Sequence, residues 1–299
     1  MTETSTQDAA HGGLLADETT LGAVELRVGD LNRSIPFYTQ VVGLSVIARD
    51  ERTASLGGLG GEAVVILHAD PSARAPGREA GLYHYALLLS SREELARVGR
   101  RIAETRTRID GASDHGTHEA IYLPDPDGIG VELASDRPRE SWPVDPLAMG
   151  GPHPLDVGAL FETIAGEGPS EHADERLRVG HVHLHVADLD ASSRFYHDGL
   201  GFAVRARMPH AEFVSAGGYH HHVAYNLWRG EGVRAASPDA FGLINWTLHT
   251  AGEADAVRAR IESLGFAIEE RLPRGGAQAG AGGGGFLARD PAGIAVAVE

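Results

Sequence analysis

Half of the 16 histidines lie between His181 and His222, so the imidazoles are gathered rather than scattered. Around His181 the even positions Val182, Leu184 and Val186 are apolar, and a strand with its two-residue period turns them toward a core. His181, His183 and His185 then share the opposite face. In 82–89 the alternation gives Tyr83, Tyr85, Leu87 and Leu89 to the core side and leaves Leu82, His84, Ala86 and Leu88 on the other, where His84 is the one polar group. In 129–134 the residues Ile129, Val131 and Leu133 face inward, and Glu132 projects beside Gly130 and Ala134. A lone carboxylate in such surroundings needs a partner. In 220–226 Val223 and Tyr225 pack inward, which places His220, His222, Ala224 and Asn226 on the histidine-bearing face and turns His221 away. One buried histidine is an ordinary core residue, but two imidazoles and a carboxylate facing one cavity are the donor set of a facial metal triad.

The elements that must position these groups are repeated. Gly22 to His68 aligns without a gap onto Gly180 to Asn226 at a constant offset of 158, with matches that include Val24/Val182, Leu26/Leu184, Asp30/Asp188 and Phe37-Tyr38/Phe195-Tyr196. Gly81-Leu82 and Asp125-Pro-Asp-Gly-Ile129 recur as Gly242-Leu243 and Asp290-Pro-Ala-Gly-Ile294. Each half divides again into an alternating strand, a polar helix start, an amphipathic helix and further strands. The fold class expected is therefore α+β: four βαβββ units in two tandem modules, whose curved mixed sheets enclose cavities. The boundaries expected are a disordered arm at 1–20, modules at 21–135 and 178–299, and a linker at 136–177 in which Pro154–Ile164 could form a short helix.

Composition narrows the function classes. The 299 residues contain no cysteine, which excludes disulfides, thiolate-held zinc and cysteine nucleophiles and leaves His and carboxylates as metal donors. A formal charge of −16 repels a phosphate backbone, so nucleic acid is excluded as a partner. No apolar run approaches the ~18 residues of a membrane span, and the first residues carry neither a basic region nor an apolar one. The expectation is a cytoplasmic protein outside the membrane, with homo-oligomerisation left open.

Taken in order, Gly180-His-Val-His-Leu-His-Val-Ala-Asp-Leu189, Phe195-Tyr196, Gly217-Gly-Tyr-His-His-His-Val223, Gly81-Leu-Tyr-His-Tyr85 and Tyr122-Leu-Pro-Asp-Pro-Asp-Gly-Ile-Gly-Val-Glu132 carry a family likeness. The chain resembles the vicinal oxygen chelate superfamily of glyoxalases, bleomycin-resistance proteins and extradiol dioxygenases, and within it the two-module catechol 2,3-dioxygenases. The resemblance implies ligands at the start of one unit's first strand and on the first and last strands of a neighbouring unit. Pairing units within a half gives incomplete sets: Ala23, His84 and Glu132, or His181, Asn245 and Ala297. Pairing unit two with unit three gives His84, Glu132 and His181, while units one and four are left with Ala23, Asn245 and Ala297. Units of different halves are thus expected to share a cavity.

The same resemblance implies an acid–base role for His222 and an active-site role for Tyr122, ten residues before Glu132. It adds His115 near the substrate, with His183, His220 and Asn226 lining the pocket. The reading is an extradiol dioxygenase acting on a small aromatic diol with O2, using Fe(II) or else Mn(II), with Zn or Ni as substitutes acquired in purification. Glyoxalase-type members use a fourth protein ligand where this chain has Ile66 and Ala224, which argues against that activity. The alternatives are a hydroquinone dioxygenase, a glyoxalase-like isomerase, or a non-catalytic protein that sequesters a small molecule such as an antibiotic.

Overall fold

The computed structural model describes residues 13–143, 151–271 and 285–299. Unit one runs β1 (Thr20–Val28), α1 (Leu31–Pro36), β2 (Ser45–Arg49), β3 (Thr53–Gly57) and β4 (Ala63–Ala69). Unit two runs β5 (Gly81–Leu89), α2 (Arg92–Glu104), β6 (Gly111–Asp114), β7 (His118–Pro124) and β8 (Gly130–Asp136). The connecting segment contributes β9 (His153–Pro154) and α3 (Val157–Glu162). Unit three comprises β10 (Arg178–His185), α4 (Leu189–Ser193), β11 (Ala203–Met208), β12 (Ala211–Ser215) and β13 (Val223–Asn226). Unit four comprises β14 (Gly242–His249), α5 (Ala254–Ser263), β15 (Ile268–Glu270), β16 (Phe286–Arg289) and β17 (Ala295–Val298). The βαβββ order holds four times. Of the arm expected at the N-terminus, 1–12 lie outside the described residues; from Gly13 the chain is docked, with Leu15 buried and its N–H donated to the Gly201 carbonyl at 2.8 Å.

Two mixed sheets result, and each takes one unit from each half. One has the order β15-β16-β17-β14-β1-β4-β3-β2, the other β11-β12-β13-β10-β5-β8-β7-β6-β9. The junctions are antiparallel, β1 with β14 and β10 with β5, whereas each unit pairs its own first and last strands in parallel. Units two and three therefore share a sheet, as the sorting of the ligands required.

The helices tie the units together the other way, within each half. Arg101 of α2 is buried and donates to the carbonyls of Val41 (3.4 Å) and Val42 (2.7 Å), where the widened turn Phe37–Val42 that follows α1 ends. Arg260 of α5 does the same for Gly199 and Leu200 at 3.1 and 2.9 Å. A cation at the end of a helical segment satisfies carbonyls that have no partner of their own. The recurring Tyr and Asp add a second tie: the Tyr38 hydroxyl donates to Asp125 at 3.1 Å and the Tyr196 hydroxyl to Asp290 at 3.0 Å. Helix contacts within halves and strand contacts across halves interlock the duplicates around one continuous apolar core.

Candidate active site

Register explains why the donors meet. In β10, β5 and β8 the residues His181, Ala86 and Glu132 stand opposite one another, and Tyr122 of β7 faces Glu132, so all four lie in one row across the sheet. The next row holds His183, His84 and Gly130. Gly130 is required there, because a Cβ would come within 2.3 Å of the Tyr83 carbonyl oxygen. Ala86 is small and fully buried between the larger members of its row, which leaves the space into which their side chains converge.

Glu132 Oε2 lies 3.0 Å from His84 Nε2 and 3.0 Å from His181 Nε2. Its other oxygen is 3.1 Å from His118 Nε2, and the carboxylate is 1% exposed. Burial by itself would raise the Glu132 pKa, but the electrostatic pull of the adjacent His181 ring and hydrogen bonds from His118, His181 and His84 hold it well below the usual carboxylate range. Burial lowers His181 despite the pull of Glu132, so that imidazole keeps its lone pair near neutrality. Two imidazoles beside a carboxylate are a donor set that a divalent metal takes, and the ligand atoms of His84, Glu132 and His181 lie within 4.8 Å of one another.

The family model of the glyoxalase/bleomycin resistance protein/dioxygenase superfamily matches residues 20–133 and 178–298. The chain belongs to this superfamily. A catechol-2,3-dioxygenase of Bacillus subtilis (strain 168) is 38% identical over 262 residues, spanning 85% of this chain and 91% of that protein. A lactoylglutathione lyase of Escherichia coli O157:H7 is 32% identical over 120 residues, 38% of this chain and 89% of its own. Among solved structures, a candidate dioxygenase from Bacillus subtilis gives a TM-score of 0.65 at 12% identity, covering 96% of this chain and 86% of that one. Glyoxalase I from Zea mays gives 0.57 at 20% identity, covering 94% and 92%. At these identities the structural likeness speaks for the superfamily fold.

The remaining site candidates fall into two groups. His115 Nε2 lies 2.7 Å from the Tyr122 hydroxyl, and its ring stacks on His118 with centroids 4.5 Å apart. Burial, and next the His118 charge, lower His115 to about 4, while burial and Glu132 push the Tyr122 phenol far above its ordinary value. Tyr122 therefore keeps its proton. Asn226 is fully buried and does not reach the cavity as a free group: its Nδ2 is 2.8 Å from His183 Nε2 and its Oδ1 2.8 Å from His185 Nδ1, so it orients two imidazoles. His220 is fixed by Asp136, with Nε2 to Oδ1 at 3.3 Å, and stacks on His118 at 4.5 Å.

Expected strand alternation breaks down in two stretches. His222 is not among the donors gathered at His181 in the described residues: its Nδ1 accepts the Ala216 N–H at 3.1 Å and its ring stacks on Tyr219 at 4.8 Å. His221, expected to point away, lies against His181 with ring centroids 4.1 Å apart. The alternation used to place them does not apply, because β13 begins only at Val223 and 217–222 form a loop. A β-bulge explains the other stretch. His84 pairs with His183 and Leu82 with Leu184, so Tyr83 is the extra residue between them. Leu82 then turns to the core and Tyr83 to the cavity, where it meets His84, His183, His185 and Trp228 at 4.7, 5.2, 5.0 and 5.3 Å. His118 was not among the expected site residues, yet it shares a strand face with Ala120 and Tyr122, and that spacing was a usable signal.

Proposed function

We propose that the chain is an extradiol dioxygenase that opens a catechol ring beside the diol and places both atoms of O2 in the product. The observation that carries this reading is the contact of His84 and His181 with one oxygen of the buried Glu132, a donor set that leaves about three positions free on an octahedral metal. The 38% identity to a catechol-2,3-dioxygenase over most of both chains supports the substrate class. Fe(II), or else Mn(II), held by these three residues supplies the joint binding of diol and O2 and the activation of both.

The protein's other groups orient the ring and manage its protons. Tyr122, kept protonated and fixed by His115, donates to a substrate oxygen above the triad. His221 takes the second diol proton and returns it when the ring opens. It acts through Nε2, since its Nδ1 is turned to His220 at 2.9 Å. Burial holds His221 well below 6.5, so the ring waits as a neutral base. Tyr83, His183 and Trp228 form an aromatic wall against which the ring stacks. The positions that a fourth, glyoxalase-type ligand would take hold Ile66 and the fully buried Ala224, so the dioxygenase reading is preferred over the isomerase.

The deciding experiment adds catechol, then 3- and 4-substituted catechols, to Fe(II)-reconstituted protein under an oxygen electrode. One O2 consumed per ring and a yellow, visible-absorbing semialdehyde are expected. A loaded protein that binds catechols and consumes no oxygen with any of them would leave a sequestering protein as the better account.

A further inference from the structure

The loop before β13 brings a second set of donors against the first. The ring nitrogens of His181, His220 and His221 lie within 4.8 Å of one another, and two of them, His220 Nδ1 and His221 Nδ1, are 2.9 Å apart. Imidazoles sharing a tetrahedral cation at metal–nitrogen distances of about 2.0–2.1 Å sit roughly 3.3 Å apart, so the His220–His221 pair would part slightly and the third imidazole would draw in by no more than about 1.5 Å.

The orientation of His220 is the telling feature. Its Nε2 faces Asp136 Oδ1 at 3.3 Å, and Asp136 is itself held by the Tyr219 hydroxyl, which lies 3.1 Å from both carboxylate oxygens. A carboxylate that accepts one imidazole N–H fixes the tautomer and directs the other nitrogen's lone pair toward a metal. Here that lone pair, on Nδ1, points to the gap shared with His221 and His181.

We infer that His181, His220 and His221 form a second, all-imidazole site for a borderline divalent cation such as zinc, sharing His181 with the carboxylate-bearing triad. The donor chemistry separates the two sites. Three neutral nitrogens suit zinc, copper or nickel, whereas the carboxylate of the first set suits iron and manganese. Because His181 is common to both, zinc in the second site removes a ligand from the first, and the loop makes the centre sensitive to excess zinc. The inference is independent of the dioxygenase reading, since it is read from metal content in protein that lacks the first site.

The test uses the untagged full chain with His84→Ala and Glu132→Ala combined, and with Glu132→Gln alone as a variant that keeps the side chain's shape. Each is dialysed to equilibrium against zinc or against manganese, checked for folding by circular dichroism, and analysed for metal. One zinc and no manganese per folded chain are expected. Adding His221→Ala or His220→Ala should weaken zinc binding at least tenfold, and Asp136→Asn about 10–100-fold, the usual cost of losing a carboxylate that supports a ligand. Absence of zinc from both folded variants overturns the inference. So does zinc retained unchanged after His220→Ala and His221→Ala.

Discussion

The two sheets have the same strand plan and opposite contents. In the sheet that joins units two and three, the central row reads His183, His84 and Gly130; the equivalent row of the other sheet reads Glu25, Asn245 and Ala295. The row above exchanges Ala86 and Glu132 for Thr247 and Ala297. Where Asn226 orients His183, the matching pair is His68 and Glu25, with His68 Nε2 2.8 Å from Glu25 Oε2 and Arg271 donating to the same carboxylate at 3.2 Å. Duplication kept what the backbone needs, the parallel first and last strands, the capping arginines and the Tyr–Asp ties, in both copies. Among the described residues, the cluster of His84, Glu132 and His181 occurs in one sheet. Residues present in both sheets are thus expected to carry stability, and residues present in one to carry the reaction.

The largest effects test the second half of that statement. His84→Ala, Glu132→Ala and His181→Ala are each expected to abolish Mn(II) or Fe(II) retention, because a three-donor chelate does not outlast loss of a donor. Asn245→Ala, at the position equivalent to His84, should leave metal content unchanged. Elemental analysis of the five proteins, parent included, decides it, and full occupancy in His181→Ala would break the pairing of units two and three. Next in size, His221→Phe should keep Mn(II) and lower turnover roughly 10²–10⁴-fold, while His222→Phe should cost less than about tenfold, a limit set well below that range. Single-turnover rates with catechol separate the two, and the reverse ranking would return the acid–base role to His222. His118→Ala comes third. It leaves Glu132 Oε1 without its imidazole and should weaken Mn(II) binding about 10–100-fold, measured by electron paramagnetic resonance titration.

The sequence carried the fold further than it carried the site. Cross-half pairing was legible because, at the places the family resemblance gives to metal ligands, the residue types sorted into one full and one empty set, and a two-residue period placed His84, Glu132 and His181 on one face, where they are in contact. Alternation holds only where a strand is continuous. It failed at Tyr83, where a bulge exchanges the faces of Leu82 and Tyr83 alone, and at His221 and His222, which precede β13. Asn226 was taken for a pocket residue because its face was right, but two imidazoles already use both ends of its amide. Such satisfaction depends on distances that no pattern of residue types encodes.

The smallest predicted effect tests the claim about shared residues. Asp125 accepts the N–H groups of Asp127 and Ile129 at 2.8 and 2.9 Å and the Tyr38 hydroxyl, and Asp290 accepts those of Ala292 and Ile294 at 2.9 and 2.8 Å and the Tyr196 hydroxyl. Both carboxyls are 4% exposed. Asp→Ala at either position strands three donors and should cost on the order of 2–4 kcal/mol, similar in the two halves although, among the described residues, one sheet alone bears the candidate metal triad. Burial outweighs these hydrogen bonds and lifts both carboxyls to about 6, above the value of about 3.9 for an unfolded aspartate. A raised carboxyl contributes stability that is fully present below the unfolded value and is lost as pH climbs through the folded one. Relative to the parent, Asp125→Asn and Asp290→Asn should therefore be more costly at pH 4.5 than at pH 7.5 in urea unfolding. If the gap widened with pH, the ionised form would be the one the turn holds. If one half's Asp→Ala cost far more than the other's, the duplicates would not share the load, and the division between a retained frame and a single retained chemistry would fail.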